Sequence, residues 1–323
     1  MYHREMSTRQ LSSAEIHALR EKHYNAQVVH LDRLSEDLLI LRTRQDQGKL
    51  DFRPGQYTVL GLGYWEPRLP DTQDEQLDEH DVEHLAKRAY SISCPLIDEQ
   101  DRLIRTGEMD TLEFYVSLVR TSQQRPPALT PRLFLLQAGD RLLVGPHAHG
   151  HYGLADVDPH DRIVFAATGT GEAPHNAMLA ELLSRGHRGP IASITCVRCR
   201  QDLGYLQRHR RLESLFENYH YVSLTTREPE NLDPARPDYV GKQYVQQYLQ
   251  SGRLASETGI ELDPARTHVF LCGNPDMIGV PHHTHDESRR YPSPGGMIEV
   301  LEQLGFQIDQ PHHRGNIHFE RYW

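Results

Sequence analysis

The stretch Arg162-Ile163-Val164-Phe165-Ala166-Ala167-Thr168-Gly169-Thr170-Gly171-Glu172-Ala173-Pro174 decides the fold of the second half of the chain. It begins with a continuous apolar run, which is typical of a strand buried on both faces of a parallel sheet. It ends by opening a helix, because Pro174 suits a first helical turn and Gly186 follows the last apolar position. Between the two, glycine lets a phosphate approach the backbone closely. This order of strand, glycine turn and helix predicts a dinucleotide-binding unit.

The rest of the second half continues the alternation of strands and helices. Further strands are predicted at Ile191–Val197, Tyr219–Thr225 and His268–Cys272, with helices at Leu203–Glu217 and Gly241–Ser251. This alternation predicts an α/β domain with a doubly wound parallel sheet. Its glycine turn is not the Gly-x-Gly-x-x-Gly of the common dehydrogenase domain.

The first half has a different pattern. Residues 12–22 predict a short helix, with Ser12 as its cap and Glu15 completing a capping box. From Ala26 onward, β-branched and apolar residues alternate with polar ones and are interrupted by turn signals, which predicts a series of strands. The alternation fades near residues 150–153. We therefore divide the chain into residues 1–155 and residues 156–323.

Composition excludes several classes of protein. A length of 323 residues favours two domains, and a net charge of −10 argues against nucleic acid as a partner. No apolar run is long enough to cross a bilayer or to form a signal peptide, so we expect no membrane partner. Four cysteines predict reduced thiols and a cytoplasmic location. Cys196 and Cys199 have the spacing of a metal or redox pair, but no second pair completes a metal or cluster site.

Three motifs, in this order, resemble the plant-type ferredoxin–NADP(+) reductase family. They are Arg88-Ala89-Tyr90-Ser91, the glycine turn with Pro174, and Cys272-Gly273-Asn274-Pro275-Asp276-Met277. The chain ends in Phe319-Glu320-Arg321-Tyr322-Trp323, which is similar to the terminal aromatic of the family, and the final Tyr-Trp suits a bacterial-like member. The resemblance implies an antiparallel β-barrel domain of six strands that binds FAD. A five-stranded parallel domain that binds NADP would follow it.

The first motif supplies what a bound flavin requires. Arg88 offers a planar donor fork for the pyrophosphate, and Tyr90 can stack on the flat ring. Ser91 can form a hydrogen bond near the reactive N5 atom, and the resemblance places Ala89 in the same contact set. Because side chains alternate along a strand, Arg88 and Tyr90 share one face. The alternative is an ordinary half-exposed sheet face.

Two further positions match the flavin domain. Tyr115 resembles the tyrosine that contacts the adenine side of the cofactor. The segment Ala128-Leu129-Thr130 resembles the turn that caps the flavin pyrophosphate, with Thr130 as a helix N-cap. The alternative for Thr130 is a cap with no ligand.

In the nucleotide domain, Thr170 and Gly171 are expected to contact the dinucleotide. Glu172 stands where the family usually has a small apolar residue. A carboxylate beside a pyrophosphate is repulsive unless it points away or is paired. The effect of Glu172 therefore stays open at the level of sequence.

Several positions resemble the contacts of the 2′-phosphate that distinguishes NADP from NAD. These are Arg198 after the second strand, Thr226 and Arg227 after the third, and Lys242, where the bacterial branch has arginine. Cations from different strand ends suit a phosphate. The sequence therefore predicts NADP rather than NAD.

The resemblance also implies catalytic residues and further cofactor contacts, most of them near the C-terminal end of the chain. Ser91, Cys272 and Glu320 would be the catalytic residues, with Cys272 beside the nicotinamide and Glu320 relaying a proton. Asp276, Tyr322 and Trp323 would contact the cofactors, and the two aromatics would cover the flavin. The alternative for Cys272 is a small residue of the core.

Two segments do not match the family. Residues 66–83 hold eight acidic residues and one arginine, and they predict an exposed, mobile loop. His282, His283, His285 and Asp286, followed later by His312 and His313, have a composition that suits a metal. No helix or hairpin is predicted to hold such ligands, so we interpret the tract as a hydrogen-bonded loop and expect no metal.

The resemblance implies an oxidoreductase that passes hydride between NADPH and FAD and single electrons between FAD and a ferredoxin or flavodoxin. These partners would bind transiently to a monomer. Because they are acidic, a local basic face is needed, and Arg208, Arg210, Arg211, Arg289 and Arg290 are candidates. The alternative for these arginines is an ordinary solvated surface. One alternative is a reductase for another acceptor, such as an oxygenase component or free flavin. Another is a flavin-binding, redox-responsive scaffold without turnover.

Overall fold

The computed structural model describes residues 11–78, 80–283, 289–310 and 314–322, apart from the side chain of His283. By its internal contacts the chain forms two compact units. In the described residues, unit 1 comprises the chain up to Arg53, Tyr57–Ile92 and Asp110–His149. Unit 2 comprises Pro54–Gln56, Ser93–Met109 and everything described from Gly150 onward. The division at residues 155 and 156 stays a prediction.

Unit 1 is built on six antiparallel strands, as predicted. The strands are β1 (Ala26–Ser35), β2 (Leu38–Gln45), β3 (Tyr57–Gly63), β4 (Leu85–Ser91), β5 (Leu112–Ser117) and β6 (Arg141–Val144). Their order in the sheet is β4-β3-β6-β1-β2-β5. The outermost strands, β4 and β5, also approach each other, so the sheet curls into a barrel-like layer. Apolar side chains such as Leu39, Leu60 and Phe114 fill its core.

Two short helices accompany this sheet, α1 (Ser13–His23) and α2 (Thr130–Leu133). The predicted capping box of α1 is present, since Ser12 Oγ accepts from the Glu15 backbone N–H and Glu15 accepts from the Ser12 backbone. No residue of α1 is buried.

The described residues of the acidic segment 66–83 form a loop without helix or strand, as predicted, and Asp71, Asp74, Asp78 and Glu83 are exposed, but two of its carboxylates are held by hydrogen bonds. Glu66 accepts hydrogen bonds from the Arg20 guanidinium, the Tyr24 hydroxyl and the Trp65 indole N–H. Glu75 accepts from Arg132 at 2.7 Å. The prediction was wrong at these positions because arginines from elsewhere in unit 1 neutralise the carboxylates.

Unit 2 contains the predicted parallel sheet of five strands. They are β7 (Arg162–Thr168), β8 (Ile191–Val197), β9 (Tyr219–Thr225), β10 (Thr267–Gly273) and β13 (Ile317–Arg321), in the order β13-β10-β7-β8-β9. Two short strands, β11 (His282–His283) and β12 (Arg289–Arg290), pair in antiparallel fashion. The edge strand β13 pairs in parallel with β10, with Val269 opposite Ile317. The sequence pattern did not identify β13 as a strand.

Seven helices are described in this unit. They are α3 (Glu172–Ser184), α4 (Leu206–Leu215), α5 (Pro229–Leu232), α6 (Val245–Gln250), α7 (Arg253–Thr258), α8 (Pro275–Ile278) and α9 (Met297–Gln303). The helix predicted over Gly241–Ser251 begins later, at Val245. In the part of the chain that the structure describes, no helix is both long enough and apolar enough to cross a membrane.

Candidate dinucleotide site and flavin strand

The glycine turn lies at the carboxyl edge of the parallel sheet. Gly169–Gly171 form a short 3-10 turn between β7 and α3. Gly169 has a φ of +52°, which favours glycine. A Cβ on Gly171 would lie 2.3 Å from the Cys272 carbonyl oxygen, so only glycine fits there. The turn is therefore shaped by packing against the end of β10.

The end of β10 is held against the same turn from the other side. Gly273 has a φ of +121°, and a Cβ there would lie 2.3 Å from the Thr168 hydroxyl oxygen. That hydroxyl accepts a hydrogen bond from the Asn274 N–H at 2.7 Å. Asn274 in turn caps α8, since its side chain accepts from the Asp276 N–H. The two glycine-containing ends thus form one continuous backbone surface, with Asp276 exposed beside it.

The C-terminal strand brings a further group of predicted residues to this edge. Glu320 lies opposite Cys272 in the register of β13 and β10. The Tyr322 hydroxyl donates to the Thr170 carbonyl at 3.3 Å, and the Tyr322 N–H donates to the Gly273 carbonyl. Trp323 lies outside the described residues. The structure therefore brings Thr170, Cys272, Glu320 and Tyr322 together, although the chain separates them widely.

Cys272 is fully buried at this junction. Burial raises the pKa of its thiol well above the ordinary value, and the charge of Glu320 acts in the same direction. The Tyr322 side chain, which hydrogen-bonds to the sulfur, opposes this pKa shift. The thiol is therefore neutral near pH 7. It can pack against a ligand and hydrogen-bond, but it is not an activated nucleophile.

A buried histidine supports α3 from within unit 2. His175 is 3% exposed and packs against Phe165, and its Nε2 lies 2.7 Å from the Tyr152 hydroxyl. Burial lowers the pKa of His175 to about 3. The ring is therefore neutral throughout the physiological range.

This burial predicts a loss of stability in acid. Between the ordinary pKa of 6.5 and about 3, the unfolded chain binds a proton that the folded chain does not. The free energy of unfolding should fall with decreasing pH by up to ~1.4 kcal/mol per pH unit from this group. Urea unfolding of wild type and His175→Asn at several pH values measures it. An unchanged pH slope in the variant would contradict the assignment.

The predicted phosphate residues lie at the carboxyl ends of β8 and β9. The Arg198 carbonyl accepts hydrogen bonds from the N–H groups of both Thr226 and Arg227, which ties these strand ends together. Both guanidinium groups act to lower the pKa of the nearby Cys199 thiol, although burial raises it overall. Arg198, Arg227 and Lys242 are exposed, and within the described residues none of them forms an ion pair. Their charges are thus available to a ligand.

A cavity of about 590 Å³ lies at this edge of unit 2, within the size range of small-molecule sites. Thr225, Gln243 and Arg253 are among its lining residues. Arg200 also lines it, but its guanidinium is paired with Glu230. Arg200 differs in this respect from Arg198 and Arg227.

In unit 1, the predicted flavin residues lie on β4. Arg88 and Ala89 are exposed, Tyr90 is half-buried and Ser91 is buried. Burial raises the pKa of Tyr90, and the charge of Arg88 opposes that shift, which places the guanidinium near the ring. Arg88 donates to the Lys87 carbonyl at 2.8 Å. The strand therefore presents a cation and an aromatic ring side by side.

The other flavin positions of unit 1 are buried. Tyr115, Ala128, Leu129 and Thr130 are each less than 10% exposed. The N-cap of α2 is Leu129, so the prediction of Thr130 as N-cap was wrong by one residue. The Thr130 hydroxyl instead accepts a hydrogen bond from the Val119 N–H. Only the backbone of this segment remains for contact with a ligand at the turn.

Sequence reasoning missed Arg132, which is 3% exposed. Its guanidinium donates to the carbonyls of Ala128 and Tyr64 and pairs with Glu75. It therefore fixes the turn at 128–130 to the acidic segment. A single arginine within a short helix carries no signal of this role.

Comparisons with known proteins agree with this geometry. Residues 165–282 match the family described as oxidoreductase NAD-binding domain. The flavodoxin/ferredoxin–NADP reductase of Escherichia coli (strain K12) is 27% identical over 229 residues, covering 71% of this chain and 77% of that protein. The ferredoxin–NADP reductase of Pseudomonas aeruginosa is 25% identical over 264 residues, covering 79% and 86%.

Among solved structures, a ferredoxin NADP+ reductase from Neisseria gonorrhoeae with bound FAD and NADP is similar, with a TM-score of 0.66. Its sequence is 18% identical, and the match covers 93% of this chain and 99% of that chain. At this identity the likeness shows the fold. Fold and dinucleotide turn together define an oxidoreductase of two units, one antiparallel and one doubly wound. In sequence and in fold, the chain is similar to ferredoxin–NADP(+) reductases.

Proposed function

We propose that this protein passes hydride between NADPH and FAD and single electrons between FAD and a ferredoxin or flavodoxin. When bound, FAD would supply the step that links two-electron and one-electron chemistry. Arg88 and Tyr90 would hold it, with Ser91 at the end of the same strand. Thr170, Gly171 and Asp276 would contact the dinucleotide.

The observation that carries this proposal is the packing of Gly171 against Cys272. Glycine at position 171 lets the turn pack directly against the end of β10, while Gly169 and Thr170 remain half-buried at the surface of the turn, where a pyrophosphate could approach the backbone. Glu320 and Tyr322 border the same surface. If Cys272 were only a core residue, Gly171, Glu320 and Tyr322 would not need to lie beside it.

The preference for NADP is supported by the unpaired cations at the ends of β8 and β9. Arg198 and Arg227 come from adjacent strand ends and can bind a 2′-phosphate as donor forks. Lys242 adds charge without the planar geometry. Thr226 precedes Arg227 and its N–H donates to the Arg198 carbonyl, and its hydroxyl donates to the Val197 carbonyl at 3.3 Å.

The surface that the sequence suggested for partner binding carries less free positive charge than expected. Arg210, Arg211 and Arg289 each form an ion pair with an acidic residue. A groove of unit 1 is more basic: Lys22, Lys87, His23 and His84 line it together with Glu83. We propose this basic groove as the docking surface for the acidic partner, since the chain as a whole is acidic.

This proposal predicts a charge effect on docking. Reversing two charges, in Lys22→Glu/Lys87→Glu, should raise KM for ferredoxin several-fold at low salt and leave the rate of flavin reduction by NADPH unchanged. The difference from wild type should shrink as salt screens the charges. Lys49→Glu, outside the groove, is the control. A salt-independent KM equal to that of wild type would place the docking surface elsewhere.

An acceptor assay tests the function itself. The purified protein is supplied with FAD and NADPH, and its rates of electron transfer to ferredoxin, to flavodoxin and to free flavin are compared. Electron transfer to ferredoxin or flavodoxin at much the higher kcat/KM is expected. Reduction of free flavin alone would favour the alternative acceptor, and the acidic net charge is the observation that supports that alternative.

We also propose a cellular location and an oligomeric state. The four cysteines are free thiols, which suits a cytoplasmic location. We propose a monomer that meets its protein partner transiently.

A further inference from the structure

Glu172 is the residue that departs from the family pattern, and the structure gives its carboxylate a specific place. It is the first residue of α3 and follows the glycine turn directly. Its side chain is 3% exposed. A buried carboxylate is costly unless polar groups compensate it.

Three polar groups from three different elements converge on one oxygen of this carboxylate, Oε1. The Thr195 hydroxyl of β8 and the Tyr221 hydroxyl of β9 each donate to it at 2.9 Å. His209 of α4 places its Nε2 3.0 Å from the same atom. This last approach lies outside the angle of a hydrogen bond, so we treat it as an electrostatic contact.

The groups around the carboxylate are themselves fixed. The His209 ring stacks on Tyr221 with 4.1 Å between centroids, and its Nδ1 lies 2.7 Å from the Tyr219 hydroxyl. Burial, reinforced by the charge of Glu172, raises the pKa of both tyrosines. Both hydroxyls therefore stay protonated. The Glu172 carboxylate is thus paired within the unit. This pairing answers the question, raised by the sequence, of how a carboxylate can stand beside a pyrophosphate.

We propose that Glu172 is a positioning residue for the dinucleotide. By accepting hydrogen bonds from β8 and β9, it fixes the start of α3 and hence the orientation of the Gly169–Gly171 turn toward a pyrophosphate. This inference rests on the proposed function. It predicts that the hydrogen-bond acceptor at position 172, rather than a small apolar residue, sets the affinity of this chain for NADP.

Two substitutions at this position separate the possibilities. Glu172→Gln keeps an amide oxygen that can accept from Thr195 and Tyr221, whereas Glu172→Leu removes every acceptor. We expect Glu172→Leu to raise Kd for NADP and KM for NADPH about tenfold, as for a lost charged hydrogen bond. Glu172→Gln should restore most of the affinity. The kcat with saturating NADPH should stay close to that of wild type in both variants.

A smaller ligand distinguishes positioning from general damage. 2′-Phospho-AMP carries the adenine and the 2′-phosphate but no pyrophosphate bridge to nicotinamide. Its Kd should therefore be unchanged in Glu172→Leu. If Glu172→Leu fails to fold, Tyr221→Phe provides the test, since it removes one donor from the buried network. It should weaken binding of NADP and leave binding of 2′-phospho-AMP unchanged. Glu181→Gln, which changes a carboxylate farther along α3, is the matched control.

The outcomes are distinct. Equal losses for NADP and 2′-phospho-AMP, or wild-type NADP affinity in both Glu172→Leu and Tyr221→Phe, would overturn the positioning role and leave the proposed function intact. Failure of the wild-type protein to bind NADP would instead overturn the proposed function.

Discussion

Replacing Arg227 with alanine should lower kcat/KM for NADPH by about ten- to a hundredfold, at ~1.4 kcal/mol per tenfold, and leave NADH nearly unchanged. Arg227 lies at the end of β9, where its backbone is tied to the Arg198 carbonyl. Within the described residues its guanidinium forms no ion pair, so a phosphate would not need to displace a carboxylate. The loss should be selective because only NADPH carries the 2′-phosphate.

The structure offers a matched control for this measurement. Arg200 lies at the same edge of the sheet, but it is paired with Glu230. Arg200→Ala should therefore change coenzyme preference much less. Steady-state kinetics of both variants with both coenzymes measure the effect, and equal losses for NADPH and NADH in Arg227→Ala would rule out the phosphate assignment.

The second large effect concerns FAD. Arg88→Ala should weaken FAD binding by about ten- to 150-fold, which corresponds to the ~1.5–3 kcal/mol of a hydrogen bond to a charged group. The guanidinium is exposed and lies near Tyr90, so a phosphate and a ring could be bound together there. FAD content after purification and the Kd of the reconstituted apoprotein measure this effect.

Lys87→Ala is the control for Arg88→Ala. Lys87 precedes Arg88 on β4, and adjacent side chains of a strand point to opposite faces. The Lys87→Ala variant should therefore retain FAD as the wild-type protein does. If Arg88→Ala also keeps full FAD occupancy and affinity, the flavin site does not lie on this strand face.

Local patterns predicted the parts of the fold that local forces determine. The apolar run of β7, the glycine turn and the start of α3 follow one another directly, so their order was visible in the sequence. The capping box of α1 spans only four residues, from Ser12 to Glu15, and was confirmed for the same reason. The parallel character of the second sheet followed from the helices between its strands, whereas the antiparallel character of the first sheet was implied by the resemblance.

The missed features depend on residues that are far apart in the chain. β13 is a five-residue edge strand that is defined by pairing with β10, and its own sequence alternates too briefly to indicate a strand. The acidic segment is held by Arg132, whose partner Glu75 lies 57 positions away. The sequence raised the question of Glu172, but its partners come from β8, β9 and α4, which only the fold brings together.

An anaerobic titration of the purified protein with NADPH, followed by the visible absorbance of bound flavin, tests the central claim most directly. We predict a yellow protein whose flavin absorbance is bleached by about one equivalent of NADPH, and much less readily by NADH, because two electrons pass to each flavin. A protein that remains colourless after incubation with FAD would contradict the account. So would a flavin whose absorbance NADPH leaves unchanged.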